Sequence, residues 1–265
     1  MNIERQFGGE YGNEIEFLRP ELREIFNRAN EIQRYQKLGL TPRFIKNETV
    51  RSHILRLLPM VDKFMDDPTE TYQCKEILVL HDLPEVRRAI NLGEGSDTTA
   101  VEKGASLAIA NKVDSEEMEV ARNIFNGREF ILYQKFSEAG DFLKGNGQKM
   151  PDRLALVAKM LDEVDGSVHF HSLAFDGRFS GQKLTEGAQI RAFERYKKIS
   201  HTLNWLKGTE LDETEILSRR ILNDAMLTIK EIWIRDYRRN IDSNRKIGEI
   251  PVLIEKGLNE FVLRE

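Results

Sequence analysis

The chain has 265 residues, 32% of them charged and 40% drawn from the set AVILMFWYC, with a formal net charge of −4 and a pI near 5.9. This length and balance supply a substantial core and exclude a chain too polar to fold, while no apolar run approaches the ~18–20 residues of a membrane span. The acidic balance weighs against a surface built throughout to grip nucleic acid, yet leaves room for a small phosphorylated ligand that needs only a few local cations. A single cysteine, Cys74, rules out an internal disulfide framework. With no apolar stretch in "MNIERQFGGEYGNEIEF" to resemble a secretory leader, a reducing cytoplasm is the expected setting.

Apolar spacing is helical almost throughout. "EFLRPELREIFNRANEIQRYQKLG" (16–39) places Leu22, Ile25, Phe26, Ala29, Ile32 and Tyr35 on one stripe, with Gly39 as a stop. "ETVRSHILRLLPMVDKFM" (48–65) predicts a helix with Val50, Ile54, Leu57, Leu58 and Val61 inward and a kink at Pro59. The segment 72–91 reads as one further helix carrying His81 and Asp82. "DSEEMEVARNIF" (114–125) opens on an Asp114…Glu117 capping pattern, and "EFILYQKFSEAGDFL" (129–143) is helical up to the break at "KGNGQK". "PDRLALVAKMLDEVDG" (151–166) places proline in a first turn and ends on glycine. "SVHFHSLAF" (167–175) is the one short strand candidate, readable equally as helix end and loop, and its His169 and His171 read as loop or packing residues. Beyond a glycine-bearing loop (173–187), helices are expected at 188–206, at 211–240 behind an Asp212…Glu215 cap, and at 250–263. The cations of "RDYRRN…NRK" (235–246) read as a solvated helix end. The fold class is all-α.

Four residues sit on apolar helical stretches where an ionisable side chain is costly unless paired or metal-bound: His53, His81, Asp82 and Asp162. Two imidazoles and two carboxylates make a mixed nitrogen–oxygen set for one divalent ion, and Mn, Co, Fe, Ni and Zn all accept such ligands, with Mg also admissible. Asp165, in the same "LDEVDG" run, competes with Asp162.

The order of these residues resembles that of the HD-domain metal-dependent phosphohydrolases. "ETVRSH" stands where that superfamily has its first histidine helix, "HDLPEV" carries the H-D pair 28 residues on, and "PDRLALVAKMLDE" resembles its distal aspartate run. Within the superfamily the chain is most similar to the bacterial 5′-deoxyribonucleotidase type, whose arginine–aromatic pair is matched by "RF" (Arg43, Phe44) and whose glycine–aspartate turn is matched by "GEGSDTT". Arg51 and Ser52 replace the alanine–glutamate that precedes the first histidine in that type. The likeness covers about residues 20–170.

The resemblance implies an HD-type helical core over about 20–175 of a single domain, with a C-terminal helical extension over about 176–265. It implies that His53, His81, Asp82 and Asp162 hold the ion, the distal run favouring Asp162. Glu85 and Asp97 would handle protons and orient water, Arg43 and Lys159 would neutralise phosphate, and Phe44 would pack against sugar or base. The expected activity is hydrolysis of a nucleotide or similar small phosphate ester, most simply a nucleoside 5′-monophosphate. A catalytically weak binding or regulatory module, an HD-type nuclease and a nucleoside triphosphate hydrolase are the alternatives. A homodimer is compatible with the resemblance, since 211–240 offers more apolar face than one neighbour must cover.

Overall fold

The computed structural model describes residues 15–34, 48–94, 106–145, 149–175, and 213–228 apart from 215, 222 and 226. Among these residues the chain is 79% helical with no strand or sheet, so the fold is all-α. Seven named helices run in order: α1 (Pro20–Arg28), α2 (Val50–Phe64), α3 (Pro68–Leu80), α4 (Leu83–Asn91), α5 (Leu107–Ile124), α6 (Gly127–Leu143) and α7 (Arg153–Phe175). The described residues of 213–228 are helical as well. No described helix is long and apolar enough to cross a membrane.

Local chemistry sets most of the boundaries. Pro20 and Pro68 open α1 and α3, where a missing backbone N–H costs nothing. At α2, Ser52 N donates to Thr49 Oγ1 at 3.1 Å and Thr49 N donates to Ser52 Oγ at 2.9 Å, a reciprocal cap. Ser52, a departure from the resembled motif, is thus explained by the start of its helix. Asn126 and Glu129 cap α6 in the same reciprocal way, at 2.9 and 2.8 Å. Just past α4, Gly93 takes a left-handed φ of +66°, which suits a residue without Cβ.

Several boundaries differ from those expected. The helix predicted over 72–91 is two helices, with His81 and Asp82 in the turn between them. Pro84 falls in the first turn of α4, and so supports a new start there. The Asp114…Glu117 pattern lies inside α5, whose cap is Ser106, accepting from Ile109 N at 3.2 Å. Gly166 does not stop α7, and "SVHFHSLAF" continues it to Phe175 as helix rather than strand. Asp152, not Pro151, leads α7, accepting from Leu154 N and Ala155 N at 3.1 and 3.2 Å. α1 closes at Arg28, short of the expected stop at Gly39, which lies outside the described residues, as do 188–206, 235–246 and 250–263.

The chain divides into two compact units, Met1–Pro59 with Tyr72–Gln134, and Met60–Thr71 with Lys135–Glu265. In the first, α4 packs against both α1 and α5, and Leu22, Phe26, Ile54, Leu57, Ile77 and Leu83 are fully buried. Cys74 is a buried thiol of this core. An isolated antiparallel bridge joins Gln33 to Thr49, flanked by Arg34 N donating to Glu48 O at 2.9 Å and Val50 N donating to Ile32 O at 3.0 Å. That bridge ties the segment after α1 to the start of the histidine-bearing helix. In the second unit, α7 is buried from Leu154 to Gly166 except at Lys159, and the buried stretch includes the acidic residues Asp162, Glu163 and Asp165. Ion pairs Arg153–Glu70 and Lys63–Asp224 lie within the same unit.

Candidate metal centre

His53 comes from α2, and His81 and Asp82 from the turn between α3 and α4. All three are buried, at 0%, 8% and 9% exposure. One ligand atom from each lies within 4.8 Å of the others, so the group could hold a metal ion. Each carboxylate oxygen of Asp82 faces one imidazole, Oδ1 at 3.0 Å from His81 Nε2 and Oδ2 at 3.7 Å from His53 Nε2. The two rings meet edge to face, with centroids 5.6 Å apart.

The turn explains why the carboxylate points this way. Asp82 occupies the N-cap position of α4, where an aspartate commonly accepts from the second or third helical N–H. Its side chain makes no such bond, and Pro84, in the first turn, has no N–H to offer. The carboxylate is committed to the histidines instead.

His81 Nδ1 lies 2.6 Å from the carbonyl oxygen of Leu78. A carbonyl only accepts, so Nδ1 carries the proton and donates it. In the neutral ring Nε2 then presents a lone pair, and 3.0 Å away is a carboxylate oxygen, also an acceptor. Two acceptors meet at that distance only with a proton or a cation shared between them. Ligands ~2.1 Å from a common tetrahedral ion would stand ~3.4 Å apart, and the observed 3.0 and 3.7 Å bracket that value. The donor set and its spacing fit a divalent ion.

Without an ion, a proton on His81 Nε2 fills the same gap, and the ring is then charged. Burial alone would raise the Asp82 carboxyl, but the charge and hydrogen bond of His81, followed by Arg34 and His53, hold it well below the usual carboxylate range. The Tyr133 hydroxyl is driven the other way, far above the ordinary phenol range, first by burial and then by the charges of Glu117, Glu85, Asp82 and Asp114. Tyr133 therefore stays an O–H donor.

Of the residues singled out from sequence, His53, His81 and Asp82 are brought together. Glu85 lies in the first turn of α4, where its charge acts on Tyr133. Asp162 and Lys159 belong to the second unit, where Lys159 Nζ donates to Asp162 Oδ2 at 2.7 Å and lies 3.6 Å from Glu163 Oε1. The same ammonium sits 4.8 Å from the Phe136 ring centroid, and Gly140 leaves room for its stem, a Cβ there falling 3.4 Å from Lys159 Cε. Arg43, Phe44 and Asp97 lie outside the described residues. Sequence reasoning missed Arg34, Glu117 and Tyr133. A buried glutamate on the stripe Val113–Glu117–Ala121 was the one available signal.

No protein-family model matches the chain, and neither a curated protein nor a solved structure matches it.

Proposed function

We propose that the chain is an HD-type, divalent-metal-dependent phosphohydrolase acting on a small phosphate ester, of which a nucleoside 5′-monophosphate is the first choice. The observation that carries this reading is the convergence of His53, His81 and Asp82, three buried donors in the order of the resembled motif, with the His81 tautomer fixed by Leu78. His53, His81 and Asp82 would hold the ion, and the resemblance adds Asp162 as a further ligand. A divalent ion in that position supplies Lewis-acid polarisation of the phosphate ester and activation of water. The chain's own residues do the rest. The Leu78 carbonyl keeps His81 Nε2 turned toward the site, and Glu85 exchanges a proton with water or the leaving alcohol. Arg43 and Lys159 offset phosphate charge, Asp97 orients water, and Phe44 packs against the organic portion.

The test is phosphate release from a panel of nucleotides and simpler esters by metal-stripped protein resupplied singly with Mn, Co, Fe, Zn, Ni or Mg. Asp82→Ala is run alongside. Metal-dependent release that the substitution abolishes is the expected result. A metal-loaded protein that cleaves no ester in the panel refutes the reading.

A further inference from the structure

α5 and α6 meet at a short corner, Phe125 and Asn126, and α6 begins at Gly127, so the corner contains an Asn–Gly dipeptide. Both residues of that pair are exposed. A Cβ added at Gly127 would meet nothing within 4 Å, so the space around its amide is open. That N–H is the first of its helix and has no helical acceptor. Among the described residues no other hydrogen bond engages it, and none engages Asn126 Nδ2. Asn126 Oδ1 is held differently, accepting from Glu129 N at 2.9 Å, and that N–H draws electron density away from Cγ. An open amide nitrogen thus adjoins a polarised carbonyl whose amino group nothing in the chain holds.

We propose that Asn126–Gly127 is a site of spontaneous covalent modification, where the asparagine converts to a mixture of aspartyl and isoaspartyl linkages. The conversion is independent of the phosphohydrolase reading and needs only water. The Gly127 nitrogen gives its proton to solvent and attacks Asn126 Cγ. A new C–N bond forms, the Cγ–Nδ2 bond breaks, and Nδ2 leaves as ammonia. Water then opens the resulting succinimide at one of its two carbonyls. Opening at the main-chain carbonyl leaves the chain running through the former side chain, one methylene longer, with no change in oxidation state. The corner makes that product consequential. Asn126 N donates to Glu129 Oε2 at 2.8 Å, and Glu129, only 8% exposed, accepts from Arg19 Nε at 3.0 Å and from Arg19 Nη2 at 2.9 Å. Arg19 Nη2 also donates to Ile124 O at 2.7 Å. An inserted methylene breaks the reciprocal cap and pulls the Glu129 carboxylate off Arg19, the residue that ties this corner to the start of α1.

The experiment holds the whole folded chain in mildly alkaline buffer for several days. The peptide containing Asn126 and Gly127 is followed by mass spectrometry, with enzymatic methylation of isoaspartyl carboxylates as an independent readout. A parallel sample in urea gives the rate in the unfolded chain. Gly127→Ala tests the attacking amide, and its added Cβ has room in the fold. In wild type both readouts should rise steadily, and in Gly127→Ala they should rise severalfold more slowly, because a Cβ restricts the backbone and crowds the approach to Cγ. The melting midpoint should fall as the isoaspartyl fraction grows. Asn126→Asp, which keeps the cap and the chain length, should melt near wild type. No acid at position 126 in the folded chain, once the urea sample has converted, would show that the cap protects the site and overturns the inference. Equal rates in wild type and Gly127→Ala overturn the role given to the Gly127 amide, and conversion that leaves the midpoint unchanged overturns the structural consequence.

Discussion

Replacing Asp82 by Asn tests the centre without changing its shape. The amide keeps the volume of the carboxylate but removes the charge that faces both imidazoles, at 3.0 and 3.7 Å. A hydrogen bond to a charged, buried partner contributes ~1.5–3 kcal/mol, so the metal-free variant should be less stable than metal-free wild type by that order. The larger signal comes on adding the ion. An ion supplied at ~100 times its Kd stabilises the native state by ~2.7 kcal/mol. For a chain of this length, each kcal/mol moves Tm by ~2–4 °C, so wild type should gain ~5–10 °C. Asp82→Asn, having lost one of three donors, should gain close to nothing at the same concentration. Differential scanning fluorimetry of both proteins, metal-stripped and then titrated with Mn, Co, Fe, Ni or Zn, gives the comparison directly. An equal rise in Tm for both would show that the ion binds elsewhere and that the two histidines and Asp82 are a structural ion-pair cluster.

Three further outcomes follow from other parts of the fold. Burial alone would raise the Asp152 carboxyl, but the Lys135 hydrogen bond, with the amides of Ala155 and Leu154, lowers it below its ordinary value. Its contribution is therefore fully present above the unfolded carboxylate pKa of ~3.9 and is lost as pH falls through the lower folded value. Asp152→Ala should cost ~1 kcal/mol in urea unfolding at pH 7, with the gap closing in acid. Glu76 has the opposite sign. Burial raises its carboxyl, with Arg128 opposing and Glu129 adding to the rise, so its ionised form weighs against folding at neutral pH, and Glu76→Gln should lose less stability at pH 7 than at pH 4. Phe26, fully buried in the first unit, should cost ~3–5 kcal/mol on replacement by Ala, read as a fall in the urea midpoint with an unchanged m-value.

The helical class was legible because the apolar period of 3.6 recurs in nearly every segment, and the burial of Leu22, Ile25, Phe26, Ile54 and Leu57 follows that period. The boundaries were less so. Pro84 signalled a helix start as strongly as a distortion, and the continuous run "CKEILVLHDLPEV" hid that reading. Gly166 is buried within α7, where tertiary packing outweighs the preference of glycine to end a helix. His53, His81 and Asp82 could be found because each is a polar residue on an apolar stretch. Arg34 could not, because its place depends on the bridge that ties the segment after α1 to Thr49, a contact no local pattern encodes. Nothing in "EFILYQKFSEAGDFL" sets Tyr133 apart from the other core aromatics, and the carboxylates whose charge acts on its hydroxyl come from α4, α5 and the turn.

The hydrogen bond from His81 Nδ1 to Leu78 O does two jobs at once. Leu78 lies in the last turn of α3, whose final carbonyls lack helical N–H partners of their own. The imidazole that offers Nε2 to an ion is thus also the stopper of the helix before it. A descendant chain that abandoned metal chemistry would still lose a helix end by changing this residue, and selection for folding alone would retain it. In sequences related to this one, a histidine at position 81 is therefore by itself a poor witness to whether the centre is in use.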